Sequence, residues 1–256
     1  MIGDAKTRMR SRTHRTFVLA FRVNFQDFMQ TDSHPTGLAR ALRYVASEWR
    51  YRQIFRKFRN FTMIPRVSYT ANLRLAATVR NVSGDIVECG TWRGGMIAGI
   101  ADVLGPNRNY RLFDSYEGMP PAKEIDGPLA LAWERQQGIA TLGYHNHARA
   151  SEQEAEAAMR LSRARHFKIT KGWFEETLPQ TPRMPIALLR LDGDWYDSTI
   201  CALENLAPCV TSGGLIIVDD YYLFDGCTRA VNEYAAAHNW RIHESRFGEV
   251  CYVRIS

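Results

Sequence analysis

Leu189-Arg190-Leu191-Asp192-Gly193-Asp194 and Ile216-Ile217-Val218-Asp219-Asp220 are two stretches that run mainly apolar and then turn abruptly acidic. Such a run reads as a strand buried in a sheet, with its carboxylates emerging at the carboxyl end. In open α/β sheets that end is where ligands bind. Carboxylates from two strands that converge there repel one another unless a hard cation neutralises them, and oxygen-only ligation suits Mg²⁺. The pair therefore predicts an α/β enzyme with a divalent-cation site at its sheet edge. The plainer reading makes Asp219-Asp220 a strand-end turn, with Asp197 and Ser198 capping the helix that follows. Two separate strands ending in acid at neighbouring positions favour the cation.

The same alternation extends to both sides. Periodicity predicts strands at 85–90, 110–115, 167–170, 186–191 and 215–218, with helices at 94–104, 151–160, 198–207 and 227–238 between them. Ser151, with Glu154 three residues later, reads as a capping box. Strands alternating with helices argue a mainly parallel sheet, and a closing hairpin near 241–244 and 250–255 would add antiparallel edge strands. Residues 117–150, rich in Pro and Gly at their start, form too long an irregular connection to lack a function, and read as an active-site loop. Residues 1–80 look helical and amphipathic, with Leu38, Leu42, Val45 and Trp49 at helical spacing. They read as a lid or oligomer segment preceding a domain at 81–256.

Composition sets outer limits. The chain has 256 residues, of which 45% are hydrophobic and 23% charged, ordinary values for a soluble globular protein. The net charge of +6 gathers partly in Lys6 to Arg15 and in Arg50 to Arg59. With no nucleic-acid motif beside them, these read as solvated faces rather than a nucleic-acid surface. The five cysteines are odd in number and show no C-x-x-C spacing, so reduced cytosolic thiols are expected. The apolar run 17–21 is too short to span a bilayer and lacks the marks of a secretory signal, which points to a soluble cytoplasmic protein.

A second motif lies at Ile86-Val87-Glu88-Cys89-Gly90-Thr91-Trp92-Arg93-Gly94-Gly95: a buried strand, a glycine turn and a helix start. It is neither the dinucleotide fingerprint G-x-G-x-x-G nor a P-loop. Glu88 inside the strand suits a cationic ligand moiety. Asp114, ending the next strand, can accept both hydroxyls of a ribose.

These stretches, together with 113–120, 171–179, 191–199 and 213–221, resemble the macrocin O-methyltransferase family over roughly residues 60–235. The resemblance implies a Rossmann-like class I methyltransferase fold, a seven-stranded mostly parallel sheet with an antiparallel last strand. It implies S-adenosyl-L-methionine and Mg²⁺ as cofactors. Carried over, Glu88, Gly90, Thr91, Trp92, Arg93 and Gly94 surround the methionine portion, and Asp114 holds the ribose. Ser115, Gly118, Ser151, Gly172 and Trp173 lie near the adenosine, and Met63 closes over it. Asp192, Asp219 and Asp220 become the metal ligands, with Asp194 in support. His145 or His147 in the long loop would take the proton, beside Asp192. The implied partner is a small-molecule hydroxyl acceptor, most plainly a sugar of a glycosylated natural product, or a phenol or catechol. A homo-oligomer (dimer or tetramer) is implied, with neither nucleic acid nor membrane. Competing classes are an NAD-dependent enzyme, disfavoured by the absent fingerprint, and a non-catalytic module binding RNA through the basic arm.

Overall fold

The computed structural model describes residues 36–137 and 148–256, with side chains in the first helix from residue 46 onward. The chain divides into two compact units, residues 1–47 and 48–256. Helix α1 (Thr36–Phe58) begins in the first, and its segment from Glu48 belongs to the second. There follow α2 (Arg66–Ala77), β1 (Asp85–Cys89), α3 (Gly95–Leu104), β2 (Asn109–Asp114), α4 (Gly127–Gln137), α5 (Glu152–Leu161), β3 (His166–Lys171) and the short α6 (Phe174–Thr177). The last elements are β4 (Ile186–Leu191), α7 (Tyr196–Leu206), β5 (Val210–Val218), α8 (Asp225–Ala237), β6 (Ile242–Glu244) and β7 (Cys251–Arg254).

The strands make one sheet in the order β3-β2-β1-β4-β5-β7-β6. The first five run parallel. Strand β7 is antiparallel to both β5 and β6, so it alone reverses and β6 runs with the rest. The expected closing hairpin is present, inserted so that its second strand lies inside its first. This is the seven-stranded, mostly parallel sheet with an antiparallel last strand that the resemblance implied.

Side chains alternate between two apolar layers, as the two-residue period of a strand requires. Ile86, Leu188, Leu215 and Ile217 face one layer with Tyr51, Phe58, Tyr69 and Leu73. Val87, Leu189, Ile216 and Val218 face the other, with Leu203, Leu206 and Val231. One buried pair breaks the apolar pattern: Glu88 sits directly across from Arg190 on neighbouring strands, both fully buried.

Three sequence expectations change. The connection 117–150, expected to be irregular, contains α4; Pro128 does not prevent it, because in a helix's first turn its missing N–H is an orphan in any case. Asp126 anchors that helix by accepting from the Tyr196 amide at 2.7 Å and the Lys123 amide at 2.8 Å. Strand β5 begins at Val210 rather than 215, because the Gly213 turn is absorbed as an irregularity within the strand. Asp197 and Ser198 do not cap α7; its N-cap is Trp195, and Asp197 pairs with Lys123. Among the described residues no helix is long and apolar enough to cross a membrane. The basic arm lies outside the described residues.

Candidate functional site

The order in which strands are added reverses between β1 and β4, which lie side by side and parallel, and the parallel register brings four strand ends to one edge there. Cys89 pairs with both Phe113 and Leu191, and Leu191 with Val218. The residues that follow therefore emerge together: Gly90, Asp114, Asp192 and Asp219. Ladder bonds continue one step beyond the strands, Asp192 N–H to Cys89 O and Asp219 N–H to Leu191 O, both 2.9 Å. A cavity of about 390 Å³ opens above this edge. It is the crevice that a topological switch point creates.

Of the cofactor residues expected from sequence, Met63, Gly90, Trp92, Arg93, Asp114, Ser115, Gly118 and Trp173 line the cavity, as does Asp192. Gly90 has φ +82°, and a Cβ there would lie 1.8 Å from the Asp192 carbonyl oxygen, so only glycine fits. Five expected residues are placed elsewhere. Thr91 is buried, its hydroxyl 3.2 Å from that of Tyr116. Gly94 is the N-cap of α3, and a side chain there would meet Ala155. Ser151 caps α5 in the capping box with Glu154. Gly172 donates its amide to Asp114 O at 3.0 Å. Glu88 turns away from the cavity: its cationic partner is the protein's own Arg190, at 2.7 Å, and its other oxygen accepts from Ile97 N–H. His145 and His147 lie outside the described residues. The described histidines His166, His238 and His243 do not line the cavity.

Asp114 organises the turn around it. Its Oδ2 accepts from Thr91 N–H and Trp92 N–H, and its Oδ1 from Tyr116 N–H, all at 2.7 Å. Trp92 and Tyr116 have φ of +47° and +58°, a region that costs a non-glycine residue about 1–3 kcal/mol. Asp194, φ +57°, likewise donates its amide to Asp220 Oδ2 at 3.2 Å. Each of these three strained residues hands its N–H to a carboxylate of the site. Burial raises the Asp114 pKa, and the three amides pull it back.

Asp192, Asp219 and Asp220 each offer one carboxylate oxygen, and these oxygens lie within 4.8 Å of one another. That donor set fits a hard divalent cation. Asp194, given only a supporting role by sequence, lines the cavity beside them. Burial pushes Asp192 up and Asp194 and Asp220 well up, with the neighbouring carboxylates adding to it.

Sequence reading overlooked Arg190 and Asn72. Burial pulls the Arg190 pKa down, but Asp219, Asp192 and Glu88 together more than offset it and hold the guanidinium charged. It also overlooked the aromatic wall of Trp133, Trp195 and Phe224, packed edge to face at centroid distances of 6.2 and 4.9 Å. Trp133 and Phe224 line the cavity. The only signal for Trp133 was an aromatic residue in the helix-forming run 129–133 of the supposed loop.

Burial raises Glu88 from 4.5 to about 8 despite Arg190 beside it. A raised acid binds a proton more tightly folded than unfolded, so its contribution is present at low pH and lost as pH climbs. Relative to a Glu88→Gln variant, the metal-free protein should lose thermal stability as pH rises from about 4.5 towards about 8. Melting curves of the two proteins in chelator that stay parallel across this range would refute the shift.

Residues 7–246 match the family described as Macrocin-O-methyltransferase (TylF). The chain is similar to the demethyldecarbamoylnovobiocin O-methyltransferase of Streptomyces niveus, 36% identical over 164 residues, 61% of this chain and 60% of that protein. It is 38% identical over 163 residues to the 8-demethyl-8-(2,3-dimethoxy-alpha-L-rhamnosyl)-tetracenomycin-C 4'-O-methyltransferase of Streptomyces olivaceus, 60% of this chain and 58% of that one. The match thus spans about 60% of the length of these curated relatives. Among solved structures it resembles the O-methyltransferase NovP, with TM-score 0.63 and 30% identity, covering 77% of this chain and 82% of that one.

Proposed function

Because the chain belongs to the macrocin-O-methyltransferase family, we propose that it moves a methyl group from S-adenosylmethionine to a sugar hydroxyl of a glycosylated natural product, with Mg²⁺ held by Asp192, Asp219 and Asp220. The observation that carries this reading is the double position of Asp192. It lines the same cavity as Gly90, Asp114 and Trp173, and it belongs to the three-carboxylate cluster. Methyl donor and cation sites therefore adjoin. The names of the two relatives support an O-methyltransferase, and that of the second, a rhamnosyl-tetracenomycin 4'-O-methyltransferase, supports the sugar-bearing acceptor class.

When bound, the donor supplies an electrophilic sulfonium methyl, and the cation supplies Lewis acidity that makes a nearby hydroxyl easier to ionise. The chain's own residues arrange the rest. Gly90, whose missing side chain leaves room for the Asp192 carbonyl, keeps the turn close against β4, and Asp114 fixes the turn that would contact the donor. Ser115, Gly118 and Trp173, which line the cavity, would hold the adenosine. Trp133 and Phe224 present apolar surface that excludes water and packs on the acceptor. The Asp194 carboxyl, in the cavity two residues after Asp192, would receive the hydroxyl proton, the role otherwise assigned to His145 or His147. Holding the oxygen and the methyl carbon in line is the main contribution, since positioning alone removes about 7–11 kcal/mol from such barriers.

The test is transfer of labelled methyl from adenosylmethionine to sugar-bearing acceptors with adjacent hydroxyls, with catechols in parallel. Transfer to the glycosides, lost in EDTA and restored by Mg²⁺, is expected. Transfer confined to catechols would move the acceptor to the phenolic class, and undiminished transfer in excess EDTA would remove the metal.

A further inference from the structure

Every carboxylate of the cation cluster has one oxygen already engaged by the protein. Arg190 Nη1 donates to Asp192 Oδ2 at 2.8 Å, and Nη2 lies 2.7 Å from Asp219 Oδ1. Asp220 Oδ2 accepts the Asp194 amide at 3.2 Å. The guanidinium is itself locked in place. Nη1 also holds Glu88 Oε1 at 2.7 Å, and Glu88 is tied to the start of α3 through Ile97 N–H. Nε donates to Asn72 Oδ1 at 3.2 Å, while Asn72 Nδ2 donates to Ser68 O at 3.0 Å and reaches Asp219 Oδ1 at 3.3 Å. Arg190 and Glu88 are both fully buried, so swinging the guanidinium aside would strand a buried charge.

A carboxylate with one oxygen so engaged favours a cation through the other, because the donor and the cation compete for the engaged oxygen. Ca²⁺ takes six to eight oxygen ligands and often uses both oxygens of a carboxylate. Mg²⁺ demands near-octahedral geometry with few protein ligands and keeps waters in the remaining positions. We propose that Arg190, held by Glu88 and Asn72, is a positioning residue that restricts the cluster to one-oxygen ligation and so selects Mg²⁺ against Ca²⁺. The inference rests on the cation site proposed above. It adds that selectivity resides in a guanidinium that never touches the metal. The open coordination positions are those an acceptor's adjacent oxygens need, so the same restriction keeps the site usable for chemistry.

The experiment follows Mn²⁺ binding to the full chain by electron paramagnetic resonance in the presence of adenosylhomocysteine, with Mg²⁺ and Ca²⁺ as competitors. The wild-type protein should release Mn²⁺ to Mg²⁺ at about tenfold lower concentration than to Ca²⁺. Arg190→Lys keeps the charge but replaces the planar fork with a point donor, which cannot span the same carboxylates. It should shift the preference towards Ca²⁺ by about tenfold or more, with adenosylhomocysteine affinity retained. Asn72→Ala, which removes the acceptor of Arg190 Nε and one of the two donors to Asp219 Oδ1, should loosen the guanidinium and shift the preference in the same direction by less, and it serves if Arg190→Lys does not fold. A wild-type chain that prefers Ca²⁺, or variants whose preference is unchanged, would overturn the role of Arg190. A wild-type chain that binds no Mn²⁺ would overturn the cation site itself.

Discussion

Replacing Asp192 by Asn is expected to reduce methyl transfer by about a thousandfold or more while leaving adenosylhomocysteine binding within about threefold of wild type. The substitution keeps the shape of the side chain and removes the charge that joins the cation cluster to the cavity. Several kcal/mol of charge stabilisation at a developing alkoxide is the scale on which a bound cation acts, and each 1.36 kcal/mol is about tenfold in rate. The substitution leaves the Asp192 backbone carbonyl packed against Gly90, so the donor side of the cavity stays formed. Rate assays paired with calorimetry on adenosylhomocysteine check both halves. Retained activity would reject the cation site, and loss of activity together with donor binding would show that the substitution had collapsed the cavity.

The second large effect is at Asp114. Sequence assigns this carboxylate to a ribose; the structure shows it first accepting three backbone amides, two from residues in the strained left-handed region. Hydrogen bonds to an ionised acceptor contribute about 1.5–3 kcal/mol each, less where solvent can substitute. Asp114→Ala should therefore cost about 2–4 kcal/mol of stability and weaken adenosylhomocysteine binding by about a hundredfold or more. Urea unfolding and calorimetry on the same preparation separate the possibilities. Binding lost at unchanged stability would mean that Asp114 serves only the ligand, whereas unchanged binding would remove it from the donor site.

These two residues show how legibility divided. Asp114 and Asp192 stood out because each ends an apolar strand, a local pattern that needs no knowledge of neighbours. The roles of Glu88 and Arg190 were hidden for the opposite reason. Each lies inside a strand, and only the register of β1 against β4 shows that they answer one another. Glu88 was assigned to a cationic ligand because its cationic partner stands 102 residues away in sequence. Trp133 stayed hidden because a proline and a glycine made its helix resemble a loop.

From sequence alone came the alternation that dictates a parallel sheet, the glycine turn after β1, and the acidic ends of β2, β4 and β5. All are properties of short segments, set by the two-residue and 3.6-residue periods of the backbone. Tertiary structure alone decided which side chains meet. It turned Glu88 inward, gave Asp114 to backbone amides, and set Trp133 and Asp194 at the cavity. It also placed a buried guanidinium among carboxylates that, read as a sequence, had only repulsion to offer one another. Electrostatic partnership depends on distances of a few ångströms between strands far apart in the chain, and no local pattern encodes those distances.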